Sequence, residues 1–362
     1  MFTLRSINDS RASARLGINE IDSLLDLFLN PPKATLEERS NQHHLARDVH
    51  ATPKRQPPPF IELSSPASGE GKRHLLYYIT AIAVLPSHIQ SVSVGGQDGA
   101  VVIMDNDNRF SIPRLAEVMR CHLLKILPNA NSSSVPGTDH GLEDNLSRAI
   151  ESALSHVHIF RPQSMASLIA TVTNLHNYLF DAQAHYSIHR RIHSIILGSA
   201  SAFYWQDRCD MDTASALTAA SGLISSKRPR SEYVRLANSL RDVSVEFSCP
   251  VVYTTWATST VQPGSSAIRP SLPNPWASLP TLRLVIQRRP VRKLPGAISA
   301  EEALRDRSDR NAAVAEGWFD VFVNSYDSEE WADSVRLGLK KLGGGFAMRI
   351  VSDGVSIDNN GN

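Results

Sequence analysis

The 362-residue chain sets 37 Lys and Arg against 36 Asp and Glu, and 42% of its residues are hydrophobic. That apolar content supplies a buried core, and the balanced charge excludes a global positive field, so any nucleic-acid contact must come from local clusters. Cys121, Cys209 and Cys249 are odd in number and widely spaced, which excludes a disulfide framework or a CxxC zinc site and points to a reducing compartment.

Residues 1–30 read as a lead-in whose stretch LGINEIDSLLDLFL (16–29) has apolar residues near helical spacing, stopped by Asn30-Pro31-Pro32. The start, Met1–Ser10, has no apolar leader, and no run approaches the roughly 18 apolar residues of a bilayer span, so a soluble intracellular protein is expected. Residues 31–59 are polar and broken by Pro53 and Pro57-Pro58-Pro59, the composition of an insertion or disordered loop.

From Phe60 short apolar runs alternate with amphipathic stretches: PFIEL, HLLYYITAIAVL, AVVIM and IPRLAEVMRCHLLKIL. After a Ser/Asn/Gly/Pro-rich break follow VHIF (157–160), a helical stretch near 163–180, SIIL (194–197), a helix near 231–246 and PVVYTT (250–255). Strands alternating with helices predict an α/β fold, a doubly wound and mainly parallel sheet with helices on both faces. LRLVI (282–286), GWFDVFV (317–323) and FAMRIV (346–351) lack long intervening helices and predict antiparallel C-terminal strands at the sheet edge.

The stretch between the first strand and its helix carries the densest chemistry. Ser68, Gly69, Glu70, Gly71, Lys72 and Arg73 sit where backbone N–H groups of a small-residue loop, a helix N-terminus and a lysine can converge on a phosphate. Against G-x-x-x-x-G-K-[ST], Pro66 replaces the first glycine and Arg73 the metal-ligating hydroxyl. An ordinary strand-to-helix turn is the alternative.

LGINEIDSLL, SPASGEGKRHLLYYITA, VVIMDNDNRF, SIILGSASAFYWQDR and PVVYTTW, in that order, resemble the RecA-like recombinase core, and the aromatic SAFYW run is similar to the eukaryotic DNA-repair recombinase paralogues. RLVIQRRP and FAMRIVSDGV resemble the family's closing strands. The resemblance implies a RecA-like P-loop core over 60–362 with insertions at 127–145 and 257–280. It also implies that the family's small N-terminal domain is absent, which makes filament self-assembly unexpected.

Carried over by position, Asp107 of Asp105-Asn106-Asp107 takes the place of the carboxylate that activates water, or else belongs to a solvated acidic turn. Gly198 stands where the family has its metal-binding aspartate, and Trp256 where a polar side chain senses the terminal phosphate. ATP is therefore the implied cofactor, with weak or no hydrolysis and doubtful magnesium dependence. Arg73 could pair with phosphate oxygens directly, or face solvent.

For DNA, Lys227, Arg228 and Arg230 lie in a flexible stretch (207–233) at the place of the family's first DNA-binding loop, and they also read as a nuclear-localisation cluster or a solvated surface. Arg288 and Arg289 belong to the densest basic run, which could bind phosphate or guard a sheet edge. Phe203, Tyr204 and Trp205 could stack on bases, but a core or partner-docking role is preferred. The HRRIH histidines, His189 and His193, lack the glutamate of a metal-binding helix, and no metal site is expected.

The implied function is a nuclear subunit in homologous-recombination repair of double-strand breaks, working with other recombinase paralogues on single-stranded or branched DNA, with no membrane role. The alternatives are an active DNA-dependent strand-exchange ATPase and an unrelated P-loop small-molecule kinase.

Overall fold

In the computed structural model, residues 15–31, 57–127, 139–220, 231–257, 267–291 and 297–358 are described. The strands β1 (Phe60–Ser64), β4 (Ala100–Asp105), β6 (Ile192–Gly198) and β7 (Val251–Thr254) are buried along nearly their whole length, because helices cover both of their faces. With β5 (Val157–Phe160) and β8 (Leu282–Arg288) they form six parallel strands in the order β5-β4-β6-β7-β1-β8. The sheet continues antiparallel through β9 (Trp318–Val323), β10 (Gly345–Val351) and β11 (Gly354–Asp358), nine strands in all. A short hairpin, β2 (His88–Ile89) with β3 (Val92–Ser93), stands apart.

Period-two alternation sorts the core into two layers. Ile61, Leu63, Val101, Ile103, Ile196 and Val252 face α1 (Asn19–Leu29), α2 (Lys72–Val84) and α3 (Ile112–Ile126). Phe60, Val102, Met104, Ile195, Leu197 and Tyr253 face α5 (Met165–Thr173), α6 (Leu175–Leu179) and α8 (Glu232–Phe247). Helix starts follow side-chain chemistry: Ser111 Oγ accepts from Arg114 N at 3.3 Å, and Ser164 Oγ from Ser167 N at 3.2 Å.

The fold expected from sequence is present as an α/β sheet flanked by helices, with its antiparallel strands at the C-terminal edge. Three local expectations are corrected. Helix α4 (Asp139–Leu154) begins inside the break placed at 127–145; its buried Leu146, Ile150 and Ala153 recur at helical spacing and dock it on the first core layer. Helix α7 (Tyr204–Ala220) occupies much of the stretch read as flexible, its base tied down where Asp207 accepts from Ser231 Oγ at 2.6 Å and Glu232 N at 2.9 Å.

The third correction concerns 257–280. Trp276 is 1% exposed, donates from Nε1 to Tyr233 O at 2.8 Å and meets the Tyr253 ring edge-on at 5.2 Å, so the second half of that segment closes the core. The remainder of it, 258–266, lies outside the described residues, as do 1–14, 32–56, 128–138 and 221–230. Among the described residues, the α-helices between the antiparallel strands are the short α9 (Ala300–Arg305), α10 (Arg307–Ala315) and α11 (Asp333–Lys341).

Beside the edge strand β5 the Ser187 hydroxyl lies 2.9 Å from both His156 Nδ1 and His158 Nε2, and His158 Nδ1 is 3.0 Å from the Tyr178 hydroxyl. Burial, with Arg190 and His185 nearby, pulls His156 down to about 4. Burial does the same for His158 at about 4, and burial with Arg191 for His193 at about 3. The unfolded chain takes up these protons near the ordinary value of 6.5 while the folded chain does not. Stability is therefore full above that pH and falls as pH drops toward 4. Thermal melts should show this fall, on the order of 1–3 kcal/mol per histidine. His193→Leu should make the fall shallower, and an unchanged slope would contradict the account.

Candidate functional site

The apolar strands leave polar chemistry to their ends. At the C-terminal ends of β1, β4, β6 and β7 opens a cleft of about 530 Å³, with Lys72, Arg73, Asp107, Ser199, Thr254 and Trp256 among its walls. Open parallel sheets place ligand crevices at this end of their strands.

The loop from Ser65 to Gly71 joins β1 to α2. Gly69 and Gly71 hold φ of +81° and +90°, a left-handed backbone that only glycine adopts freely. A Cβ at Gly71 would lie 2.8 Å from Ile350 Cδ1, so the loop also packs tightly on β10. Lys72 Nζ donates to Ser65 Oγ, which itself donates to Ala67 O at 2.7 Å. The Glu70 carboxylate accepts from the Arg288 backbone N–H. Burial draws Lys72 down to about 8, against the pull of Glu70. Burial, with Arg114 and Arg73, brings His74 down to about 4.

At the end of β4 the two aspartates have different tasks. Asp105, 2% exposed, accepts from Arg109 N at 3.0 Å and Phe110 N at 3.1 Å, with Arg161 Nε at 3.3 Å. It is the internal brace of its turn. Asp107 faces the cleft, where Arg73 Nη2 donates to it at 2.5 Å, and burial raises its carboxyl pKa although the guanidinium opposes this. Of the two readings of Arg73, contact with phosphate or with solvent, the structure gives neither alone: its guanidinium is held by Asp107.

At the end of β6, Ser199 is a non-glycine residue with φ of +61°. Its N–H donates to Thr254 Oγ1 at 2.7 Å, and its carbonyl accepts from Asn106 Nδ2 at 3.2 Å. The Ser199 hydroxyl and Asn106 Oδ1 are buried without a hydrogen-bond partner, which an interior polar atom rarely tolerates unless something binds there. A Cβ at Gly198 would come no closer than 3.4 Å to Met104 O, so the position has room for a side chain it does not carry. Trp256, 46% exposed, lines the cleft with its N–H donating to Ser201 Oγ at 3.2 Å.

Glu62, in mid-strand β1, went unread in the sequence. It is 4% exposed, accepts from Thr255 Oγ1 at 2.7 Å and Arg283 Nε at 3.1 Å, and so ties β7 and β8 to β1 beneath the cleft. Burial raises its pKa against these two partners. A carboxylate in an otherwise apolar strand was the available signal.

At the cleft wall Arg73 carries no hydroxyl and Gly198 no carboxylate, Asp105 is engaged by its turn, Glu70 by Arg288 and Asp107 by Arg73. Among the described residues no group of three or more His, Cys, Asp or Glu is arranged to hold a metal.

The basic residues proposed for DNA divide. Arg288 lies over the Phe319 ring at 4.6 Å and donates to Val314 O at 3.2 Å. Arg289 pairs with Asp320 at 2.8 Å and lies over Trp318 at 5.2 Å. Both reinforce the antiparallel edge. Lys227, Arg228 and Arg230 lie outside the described residues. Phe203 and Tyr204 pack partly on the core, while Trp205 is 66% exposed. No helix among the described residues is long and apolar enough to cross a membrane. No protein-family model matches the chain.

Gly71→Ala should destabilise the protein by roughly 1–3 kcal/mol, since backbone strain and the clash with Ile350 add. Gly69→Ala, with open space around it, should show the strain alone, about 1 kcal/mol. Urea denaturation measures both, and equal losses would contradict the role given to the Ile350 contact.

Proposed function

We propose that the chain is a RecA-like P-loop subunit of the DNA-repair recombinase-paralogue type, which binds a nucleoside triphosphate such as ATP and turns it over at background rates. In this reading it serves homologous-recombination repair of double-strand breaks in the nucleus. It acts beside other recombinase paralogues on single-stranded or branched DNA. Within that group the SAFYW segment most resembles X-ray repair cross-complementing protein two.

The observation that carries the reading is the Gly69–Lys72 loop, set between a fully buried parallel strand and its helix and opening on the cleft at the strand ends. Two positively curved glycines, a partly buried lysine and a helix N-terminus suit a polyphosphate. Slow turnover follows from the same wall. Phosphoryl transfer needs a positioned base and neutralised charge, and Asp107 is held by Arg73 while Gly198 offers no carboxylate. An active strand-exchange ATPase fits poorly for that reason. The exposed Trp205, with Phe203 and Tyr204 seated beside it, supports a partner-facing surface over base stacking.

Purified full-length protein should hydrolyse ATP at background with or without single-stranded DNA; turnover near one per second, an ordinary enzymatic rate, would refute the reading. Co-expression with a recombinase paralogue should raise its soluble yield, and Trp205→Ala should reduce co-purification while leaving the melting temperature unchanged.

A further inference from the structure

We infer that Arg73 takes the place of a metal ion as the phosphate-binding cation of the cleft and that Asp107 is its internal competitor. A nucleoside di- or triphosphate then binds without divalent metal by displacing the Asp107 carboxylate from the guanidinium. The inference rests on the nucleotide-binding reading above.

Three independent features converge on it. The first is the ion pair itself. Arg73, next to Lys72 at the start of α2, meets Asp107 at 2.5 Å, and the two side chains are 36% and 28% exposed. A pair open to water on the cleft side is screened and weak, whereas a polyphosphate offers several charges and a fork-shaped oxygen edge that a guanidinium binds bidentately. One carboxylate therefore holds Arg73 in the absence of ligand and yields it to a more highly charged anion.

The second is where the cleft's negative charge goes. Asp105 accepts from the N–H groups of Arg109 and Phe110 and pairs with Arg161, while Glu70 accepts from the N–H of Arg288 and its charge acts on Lys72, so both acids already have partners within the protein. Gly198 contributes no side chain, yet a Cβ there would meet nothing closer than 3.4 Å. Lys72 and Arg73 both face the cleft.

The third is Ser199. Ser199, only 6% exposed, is among the residues at the wall of the same cleft, and its buried hydroxyl has no hydrogen-bond partner. The left-handed backbone that presents it is fixed by Thr254 and Asn106. A neutral donor held this way suits a phosphate oxygen and needs no metal to mediate the contact.

Isothermal titration of ADP and ATP into the full chain, in excess Mg²⁺ and in excess EDTA, tests the inference, with adenosine as the uncharged comparator. The two buffers should give dissociation constants within about threefold of each other. Arg73→Ala should weaken ADP and ATP binding on the order of tenfold or more, the loss of a charge-assisted contact. Arg73→Lys should weaken it less, and neither change should affect adenosine. Asp107→Asn should tighten nucleotide binding severalfold by removing the competitor. Arg73→Thr combined with Gly198→Asp should make binding depend on Mg²⁺. Binding only with Mg²⁺ would overturn the inference and leave the nucleotide reading intact. So would an Arg73→Lys or Arg73→Ala protein of unchanged melting temperature that binds as tightly as wild type, or an Asp107→Asn protein that binds no better. Absence of binding in both buffers would overturn the inference and the nucleotide reading together.

Discussion

Strands β1, β4, β6 and β7 have no solvent-facing side, and this constraint organises the molecule. Both faces of each strand are therefore mostly apolar, and the few polar side chains inside them, such as Glu62 in β1 and His193 and Ser194 in β6, are buried. Glu62 is tolerated because Thr255 and Arg283 satisfy both carboxylate oxygens. Everything else that carries charge is pushed to the C-terminal rim, where the Gly69–Lys72 loop, the Asp105–Asp107 turn and the Gly198–Ser199 turn come within reach of one another. The cleft is thus a product of the packing rule.

At that rim, the decisive feature is how the carboxylates are assigned. Asp105 and Asp107 are two residues apart and affect each other, yet one braces its turn and the other holds Arg73. Ser199 at the same rim carries both a left-handed backbone and an unpartnered hydroxyl, each with a cost to the fold.

The strand runs were legible because continuous apolar stretches of this length have few other uses, and the antiparallel edge because no long helix separates its strands. The strand-to-helix loop at Gly69–Lys72 was legible through its glycines. What escaped depends on distant partners. Asp107 and Arg73 are 34 residues apart, and nothing local says which aspartate of the turn faces the cleft. Helix α4 follows a turn-rich stretch and shows the core a narrow apolar stripe, and among the described side chains of α7 only Asp207, near its base, is buried. Trp276 looked like a loop residue because its Pro-rich neighbours hide that one indole fills a gap beside Tyr233 and Tyr253.

The contact between Gly71 and Ile350 joins the first βα turn of the fold to its second-to-last strand. The Arg288 backbone N–H, donating to the Glu70 side-chain carboxylate, adds a second tie on the same side. The Gly69–Lys72 loop is therefore shaped by chain that is synthesised nearly 280 residues later. During translation the loop has no outer wall until β10 has emerged and paired. A shortened product ending before Gly345 would keep every glycine and lysine of the loop and still lack the surface that gives it its form.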